Sequence, residues 1–130
     1  MLENYTNTKK QGDAGLGSAI SYFTMKGYPV SIPLTDNQDY DLVVEIDKVL
    51  KKVQVKTTKY KSKHGNYVIS LSVKCGYWKG SHISKWGNEV EYDLLFILTG
   101  DDQKYLIEKE FIKEIKSALT LGDKYQKFSI

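Results

Sequence analysis

Two segments joined by only two residues constrain the fold most strongly. Residues 40–46 (YDLVVEI) and 49–58 (VLKKVQVKTT) alternate apolar with polar side chains and are rich in β-branched residues. Such segments predict β-strands, and a connection of two residues, Asp47 and Lys48, predicts a tight antiparallel hairpin. The rest of the fold must therefore be arranged around this hairpin.

The register of the hairpin follows from its two-residue turn. It predicts three opposed pairs: Val43 with Lys52, Glu45 with Leu50, and Asp41 with Gln54. Apolar side chains then share one face, which we expect to pack in the core: Tyr40, Leu42, Val44, Ile46, Val49, Val53 and Val55. The opposite face brings Asp41, Gln54 and Lys56 together. Because charged and amide groups are costly to bury without partners, this polar face predicts a functional site.

The remaining periodic segments predict one α/β or α+β domain, residues 1–130, with a mixed sheet. Strands are expected at 28–33, 67–73, 91–98 and 104–108, and helices at 13–26 and 109–119. Gly15 and Gly17 lie inside the first helix, where glycine is unfavourable by up to about 1 kcal/mol. They predict that something packs or binds closely at the first turn of this helix.

Composition excludes several classes of protein. The chain has no apolar run of about 18 residues, so we expect no membrane span. Its polar N-terminal residues do not have the pattern of a signal peptide. A single cysteine, Cys75, excludes an internal disulfide framework and a cysteine-based zinc cluster. We therefore expect a cytoplasmic protein.

The charge distribution is uneven along the chain. Residues 48–85 contain ten lysines and no Asp or Glu, whereas the segments on either side are net acidic. Such a block is typical of a surface that faces nucleic-acid phosphates, although a solvated lysine-rich face is the alternative. The candidate DNA-binding residues all follow the hairpin: Lys59, Lys61, Lys63, His64, Lys74, Lys79 and Lys85. The loops 57–66 and 74–88 are expected to reach into the DNA grooves.

The polar face of the hairpin has the pattern of a phosphodiesterase site. One strand carries an Asp, and the next carries a side chain with an oxygen ligand, then any residue, then a Lys. This arrangement places oxygen ligands for a divalent cation beside an ammonium group. Asp41 followed by Gln54-Val55-Lys56 resembles the PD-(D/E)XK nuclease motif, with Gln in place of the usual acid. Residues 8–73 resemble more closely the group I intron-encoded homing endonucleases of that superfamily, in which a Q-x-K version of the motif is known.

This resemblance implies a restriction-endonuclease-like fold, in which a mixed β-sheet is flanked by helices. It also implies a metal-dependent endonuclease that hydrolyses phosphodiester bonds at a specific site in double-stranded DNA. Asp41 would be the metal carboxylate, Lys56 the catalytic lysine, and Gln54 and the backbone carbonyl of Val55 further oxygen ligands. The cofactor would be Mg²⁺, with Mn²⁺ as a substitute, and the protein would be a homo-oligomer, either a dimer or a tetramer.

One position departs from the family pattern. The family usually has a Glu in the first turn of the opening helix, where this chain has Leu16. Because Gln54 replaces a second acid, Asp41 is the one carboxylate that the motif retains, although Asp13 is a candidate substitute. Two alternatives therefore stand beside an active homing-type enzyme. One is a non-catalytic DNA-binding module on the same fold, and the other is a structure-specific nuclease that cuts Holliday junctions.

Overall fold

The computed structural model describes residues 2, 5, 7–78, 81–85 and 87–130, and for 74–78, 81–84 and 88 only the backbone is described. Within these ranges one α-helix, α1 (Thr8–Met25), precedes nine strands. The strands are β1 (Val30–Ser31), β2 (Leu42–Ile46), β3 (Val49–Thr58), β4 (Val68–Ser70), β5 (Val73–Trp78), β6 (Ser81–Lys85), β7 (Leu94–Thr99), β8 (Lys104–Glu108) and β9 (Ala118–Thr120). Short 3₁₀ helices occupy Gly87–Glu89, Lys109–Phe111 and Asp123–Phe128.

The central element is a mixed five-stranded sheet, as the sequence predicts. Its strand order is β1-β2-β3-β7-β8, and β3 runs parallel to β7 while the other neighbours are antiparallel. Strands β4 and β9 form a separate antiparallel pair, and β5 and β6 form another. The sheet therefore carries the polar face of β2 and β3 at its centre, between β1 and β7.

The predicted hairpin register is confirmed. Val43 pairs with Lys52 and Glu45 pairs with Leu50. The turn residues Asp47 and Lys48 have φ angles of 51° and 68°. Two consecutive positive φ angles match the right-handed twist of the flanking strands, which is why such short turns connect hairpins. The turn thus fixes which side chains of β3 share a face with Asp41.

One face of the sheet packs against α1. The side chains of Ala19 and Phe23 on the helix meet Leu42, Val44 and Val53 of the hairpin, and all five are fully buried. Of the predicted core face, these three hairpin residues are therefore confirmed. Two other members lie elsewhere: Val49 is 51% exposed near the turn, and Tyr40 packs against the core on the other side of the sheet.

Helix α1 begins five residues earlier than predicted, because the side chain of Asn7 caps it by accepting a hydrogen bond from the Lys9 amide at 2.8 Å. Its polar first turns carry no apolar periodicity that could have shown this start. The predicted close approach is confirmed at Gly15, where a Cβ atom would collide with Cγ2 of Thr57 on β3. The same expectation is wrong at Gly17, which has no atom within 4 Å of that position.

The helix predicted at residues 109–119 is wrong. A 3₁₀ turn covers Lys109–Phe111, and Leu119 belongs to β9, where it pairs with Ile69 of β4. Strand β4 gains its hydrogen-bonding partner only if this segment is extended, and that tertiary pairing outweighs the helical periodicity. In the described part of the chain the sheet is therefore flanked by a helix on one face, and by β4, β9 and irregular segments on the other.

Other boundaries also differ from the predictions, and β2 and β7 begin two and three residues later than expected. Strand β1 is shorter than residues 28–33, and the segment 67–73 contains β4 and only the first residue of β5. Residues 74–88, expected as a loop, contribute most of the β5–β6 hairpin. Of the helices in the described ranges, none is long and apolar enough to cross a membrane.

Candidate active site

The polar face of the hairpin forms one wall of a cavity of about 430 Å³. Asp41, Gln54 and Lys56, which the sequence predicted to lie together, all line it. The other lining residues are Asp36, Gln38, Ser70, Ser72 and Val73. We call this space the Asp41 cavity. The structure therefore brings all three predicted side chains to one site.

Asp41 is fixed at the point where β2 begins. Its backbone N–H donates to the carbonyl of Val53 at 2.8 Å, and its Oδ2 accepts a hydrogen bond from the N–H of Val55 at 2.8 Å. The N–H and C=O groups of one strand residue point to the same edge of that strand. The carbonyl of Val55 is therefore directed to the same side as the Asp41 carboxylate.

Burial raises the pKa of the Asp41 carboxyl group above its ordinary value of 3.8. The hydrogen bond from Val55 and the charge of the nearby Lys56 ammonium both oppose this rise, but desolvation is the largest of the three effects. The ionised carboxylate is thus left short of compensating positive charge. A bound cation would supply that charge.

The oxygen ligands available around Asp41 are of the kind that bind a hard divalent cation. A carboxylate, a backbone carbonyl and the amide oxygen of Gln54 are all oxygen ligands, which Mg²⁺ and Mn²⁺ prefer. Across the described residues, no group of three or more His, Cys, Asp or Glu side chains could hold a metal ion. A cation held by the three oxygen ligands named above would take its remaining ligands from water and substrate.

Lys56 lies two residues after Gln54 on β3, so strand alternation places both side chains on the cavity side. Its Nζ donates a hydrogen bond of 2.7 Å to the backbone carbonyl of Ser72. Ser72 lies between β4 and β5, outside the five-stranded sheet. The position of the ammonium group is therefore set by two different parts of the fold.

Gln54 is the most deeply buried of the three predicted residues, with 9% of its surface exposed. Its Nε2 lies 3.4 Å from the carbonyl oxygen of Val55, a long and weak hydrogen bond. The amide is thus adjacent to the same carbonyl that we predict as a ligand. The atom nearest that carbonyl is the amide nitrogen, a hydrogen-bond donor, so an ion bound by both oxygens requires the Gln54 amide to turn.

Four polar residues of the cavity were missed by the sequence reasoning: Asp36, Gln38, Ser70 and Ser72. The first two belong to the loop between β1 and β2, where Nε2 of Gln38 donates to the carbonyl of Thr35 at 2.5 Å. The alternation of residues 67–73 shows that both serines share a strand face. It does not show that this face lies next to β3, because that depends on tertiary packing.

Leu16 and Asp13 do not line the Asp41 cavity. Leu16 packs, partly buried, against the core between α1 and the sheet. Asp13 is exposed and lies in a separate depression with Tyr5 and Lys10. Neither residue adds a carboxylate to the cavity.

The candidate DNA-binding residues are distributed around the site. Lys59, Lys61, Lys63 and His64 are exposed in residues 59–66, which we call the basic loop. Nζ of Lys61 lies 4.8 Å from the centre of the Tyr67 ring, and Nζ of Lys59 donates to the carbonyl of Tyr5 at 2.6 Å. These contacts hold the start of the loop against the protein while its charges face solvent.

Lys85 is in a different environment. It is partly buried, and its Nζ lies 3.4 Å from Oδ2 of Asp39. Asp39 is only 4% exposed and also accepts a hydrogen bond from the N–H of Glu91 at 2.9 Å, so it anchors the end of the β5–β6 hairpin. Lys79 lies outside the described residues, as does the side chain of Lys74.

Comparison with known proteins identifies the family of this chain. Residues 6–127 match a family model described as PD-(D/E)XK endonuclease. The solved structure of a bacterial homing endonuclease, I-Ssp6803I, is 28% identical and superposes with a TM-score of 0.72, over 93% of this chain and 83% of that chain. A comparison with curated proteins finds no significant match. The resemblance inferred from the motif and from residues 8–73 is confirmed, and the chain belongs to the PD-(D/E)XK endonuclease family.

Proposed function

We propose that the chain is a metal-dependent DNA endonuclease that hydrolyses phosphodiester bonds at a specific double-stranded site. The observation that carries the proposal is the meeting of Asp41, Gln54 and Lys56 in one cavity on adjacent strands. Membership of the PD-(D/E)XK endonuclease family supports the reaction class. The likeness to a protein described as a homing endonuclease supports action at a defined DNA site.

Three groups would hold the cation: the Asp41 carboxylate, the carbonyl of Val55 and the amide oxygen of Gln54. Mg²⁺ is the proposed ion, and Mn²⁺ the proposed substitute. When bound, the ion supplies Lewis acidity toward the scissile phosphate. Asp36 also lines the cavity, but Asp41 is the one carboxylate of the proposed ligand set. Because a single carboxylate ligand binds Mg²⁺ weakly, we expect affinity for the ion to rise when DNA is present.

Lys56 would act on the reacting phosphate through its positive charge. An ammonium group at the cavity wall stabilises the negative charge that grows on the phosphate, and it can orient the attacking water. Its hydrogen bond to the carbonyl of Ser72 limits its motion, so little reorganisation is needed during the reaction. Asp41 keeps the Val55 carbonyl and its own carboxylate on the same side of β3.

DNA would lie across the basic block of residues 48–85. The exposed lysines of the basic loop are suited to phosphate contacts, which supply affinity but little sequence information. The β5–β6 hairpin is a two-stranded ribbon outside the main sheet, and such a ribbon fits the major groove of B-DNA. We propose that this hairpin reads the bases.

The number of strands to be cut implies a homo-oligomer of at least two chains, and a long recognition sequence would be supplied by a tetramer. Each chain carries one Asp41–Gln54–Lys56 set and would cut one strand. A double-strand break then requires two copies related by symmetry on the target. Sedimentation analysis of the free protein and of its DNA complex tests this part of the proposal.

A plasmid-library assay tests the proposed function as a whole. Supercoiled plasmids are incubated with Mg²⁺, Mn²⁺ or EDTA and with wild type, Asp41→Asn or Leu16→Glu. The proposal expects cutting by wild type that needs the metal and is lost in Asp41→Asn. If only Leu16→Glu cuts DNA, the chain is a nuclease that the leucine at position 16 has inactivated. DNA binding without cutting by any of the three would favour a non-catalytic binding module, and cutting confined to cruciform plasmids would favour a junction nuclease.

A further inference from the structure

The Asp41 cavity contains a pair of hydroxyl groups that the nuclease motif does not include. Oγ of Ser70 and Oγ of Ser72 are 2.9 Å apart, and both residues line the cavity. We propose that this pair binds an oxygen of the DNA phosphate that lies next to Lys56. The inference rests on the proposed function and adds one hydroxyl donor for substrate to the same site.

Ser72 lies directly beside the catalytic lysine. Its carbonyl accepts a hydrogen bond of 2.7 Å from Nζ of Lys56. Covalent geometry keeps the hydroxyl of a serine close to its own carbonyl group. An anionic oxygen attracted to the Lys56 ammonium is therefore within reach of the Ser72 hydroxyl, and through it of Ser70.

The packing of the neighbouring residues sets the direction of both serines. Ile69 and Leu71 alternate with them and are both buried in the core on the other side of this segment. Ser70 is also paired through its backbone with Ala118 of β9. Since side chains alternate along an extended strand, the buried residues hold the two hydroxyls toward the cavity.

The chemistry of the pair suits a phosphate. When one hydroxyl donates to the other, one hydrogen remains for an external acceptor such as a phosphate oxygen. The chain has no arginine, so the forked recognition of phosphate that arginine provides is absent from this protein. The remaining hydroxyl hydrogen and the Lys56 ammonium group beside it supply converging donors instead.

The cavity is thereby divided into two walls of opposite character. Asp41, Gln54 and the Val55 carbonyl offer oxygen atoms for a cation, whereas Lys56, Ser70 and Ser72 offer hydrogens for an anion. A phosphodiester bound between the walls would have its charge neutralised from both sides. The serine pair therefore belongs to the wall that donates hydrogen bonds, together with Lys56, and contacts substrate.

Single-turnover cleavage of a plasmid that wild type cuts tests the inference. The variants are Ser70→Ala, Ser72→Ala and the double variant, with Lys56→Ala as the inactive reference. Ser72→Ala removes the hydroxyl but keeps the backbone carbonyl that binds Lys56. The matched control is Ser117→Ala, because Ser117 is exposed beside the same β4–β9 pair but does not line the cavity.

We expect the double variant to cleave about tenfold more slowly or worse, since hydrogen bonds to charged groups contribute at least this factor. Its thermal unfolding midpoint should match that of wild type, and its affinity for the plasmid should stay within about twofold of the wild-type value. The control variant Ser117→Ala should cleave at the wild-type rate. If wild type cuts, Lys56→Ala does not, and the double variant cuts as fast as wild type, the serine contact is refuted while the proposed function stands.

A titration with inorganic phosphate gives a readout that does not need cleavage. Backbone amide shifts of residues 70–72 are followed by NMR in wild type and in the double variant. Phosphate-dependent shifts that the double variant loses would support the pair, even if the protein cuts no DNA. Shifts that are equal in both proteins, or absent from both, would overturn it.

Discussion

The carboxylate of Asp41 has two roles: it accepts a backbone hydrogen bond at the end of the hairpin, and it lines the candidate site. Its Oδ2 accepts the hydrogen bond from the Val55 N–H that a backbone carbonyl would otherwise accept. Burial raises the pKa of this carboxyl group, so its ionised form is disfavoured in the folded protein when no cation is present. The ionised Asp41 side chain therefore lowers the stability of the folded protein, and a bound cation would offset this loss.

We predict that Asp41→Asn abolishes cleavage but stabilises the metal-free protein at neutral pH. A raised pKa means that the folded state binds the proton more tightly than the unfolded state. The stability that this proton provides is present below the ordinary pKa of 3.8 and is lost as the pH rises through the raised value. Because asparagine stays neutral, the advantage of the variant should grow as the pH rises.

Thermal unfolding in EDTA, between about pH 4 and about pH 8, measures this difference. Asp47→Asn, which removes an exposed carboxylate from the turn of the same hairpin, shows what the loss of one charge does by itself. A variant that is less stable than wild type at neutral pH would contradict the assignment of burial as the dominant effect.

The residues that sequence could predict are those related by local geometry. Asp41, Gln54 and Lys56 share a face because of a two-residue turn and strand alternation, and both can be read from residues 40–58. The serines at 70 and 72 could not be assigned to the site, since their place depends on β4 packing beside the hairpin. The position of Asp36 is likewise set by a loop without periodicity.

The contact between α1 and β3 connects the opening helix to the strand that carries Lys56. Gly15 lies against Thr57, the residue next to Lys56, and a Cβ atom there would also come within 3.3 Å of Cγ1 of Val55. Gly17, two residues later on the same helix, faces open space. The two glycines thus form a matched pair for testing this contact.

We predict that Gly15→Ala destabilises the protein by about 1–3 kcal/mol, because overpacking forces the helix and the strand apart. Gly17→Ala should stabilise it by up to about 1 kcal/mol, through helix propensity alone. Adding Thr57→Ser to Gly15→Ala removes the colliding methyl group and should restore part of the loss. Chemical denaturation of the four proteins measures these free energies, and equal effects at Gly15 and Gly17 would contradict the close contact.

Elements were predictable where local pattern and tertiary packing agree. The middle of the β2–β3 hairpin buries Leu42, Val44 and Val53 against α1, as its periodicity indicates. The segment 109–119 was not predictable in this way, because β4 requires a partner and Leu119 is buried by pairing with it. An amphipathic pattern alone does not reveal that a distant strand needs a neighbour.

At the scale of the whole molecule, positive charge is concentrated in residues 48–85 although the net charge is only +3. Exposed lysines of the basic loop extend from the end of β3, the strand that also carries Gln54 and Lys56. Charge near the site attracts DNA and orients it. The distribution of lysines, more than their number, should therefore control DNA affinity.

We predict that changing Lys59, Lys61 and Lys63 together to Gln weakens DNA binding and lowers its salt dependence. Each phosphate contact contributes about 0.9 to the slope of log K against log salt concentration, so three lost contacts should lower it by about 2 to 3. The control changes three other exposed lysines to Gln: Lys113, Lys116 and Lys124. These lysines lie outside residues 48–85, and their replacement alters the net charge equally. Equal losses of slope in both triple variants would contradict a localised DNA surface.

The most direct test of the central claim compares two lysines on one strand face. Lys56→Met removes the ammonium group from the Asp41 cavity, whereas Lys52→Met removes one that lies four residues earlier, near Glu91. The measurement is single-turnover cleavage of supercoiled plasmid in Mg²⁺, with DNA affinity measured in parallel. We predict that Lys56→Met binds DNA but cleaves about 10²-fold more slowly or worse, while Lys52→Met cleaves like wild type. Cleavage by Lys56→Met at the wild-type rate would contradict the assignment of this cavity as the active site.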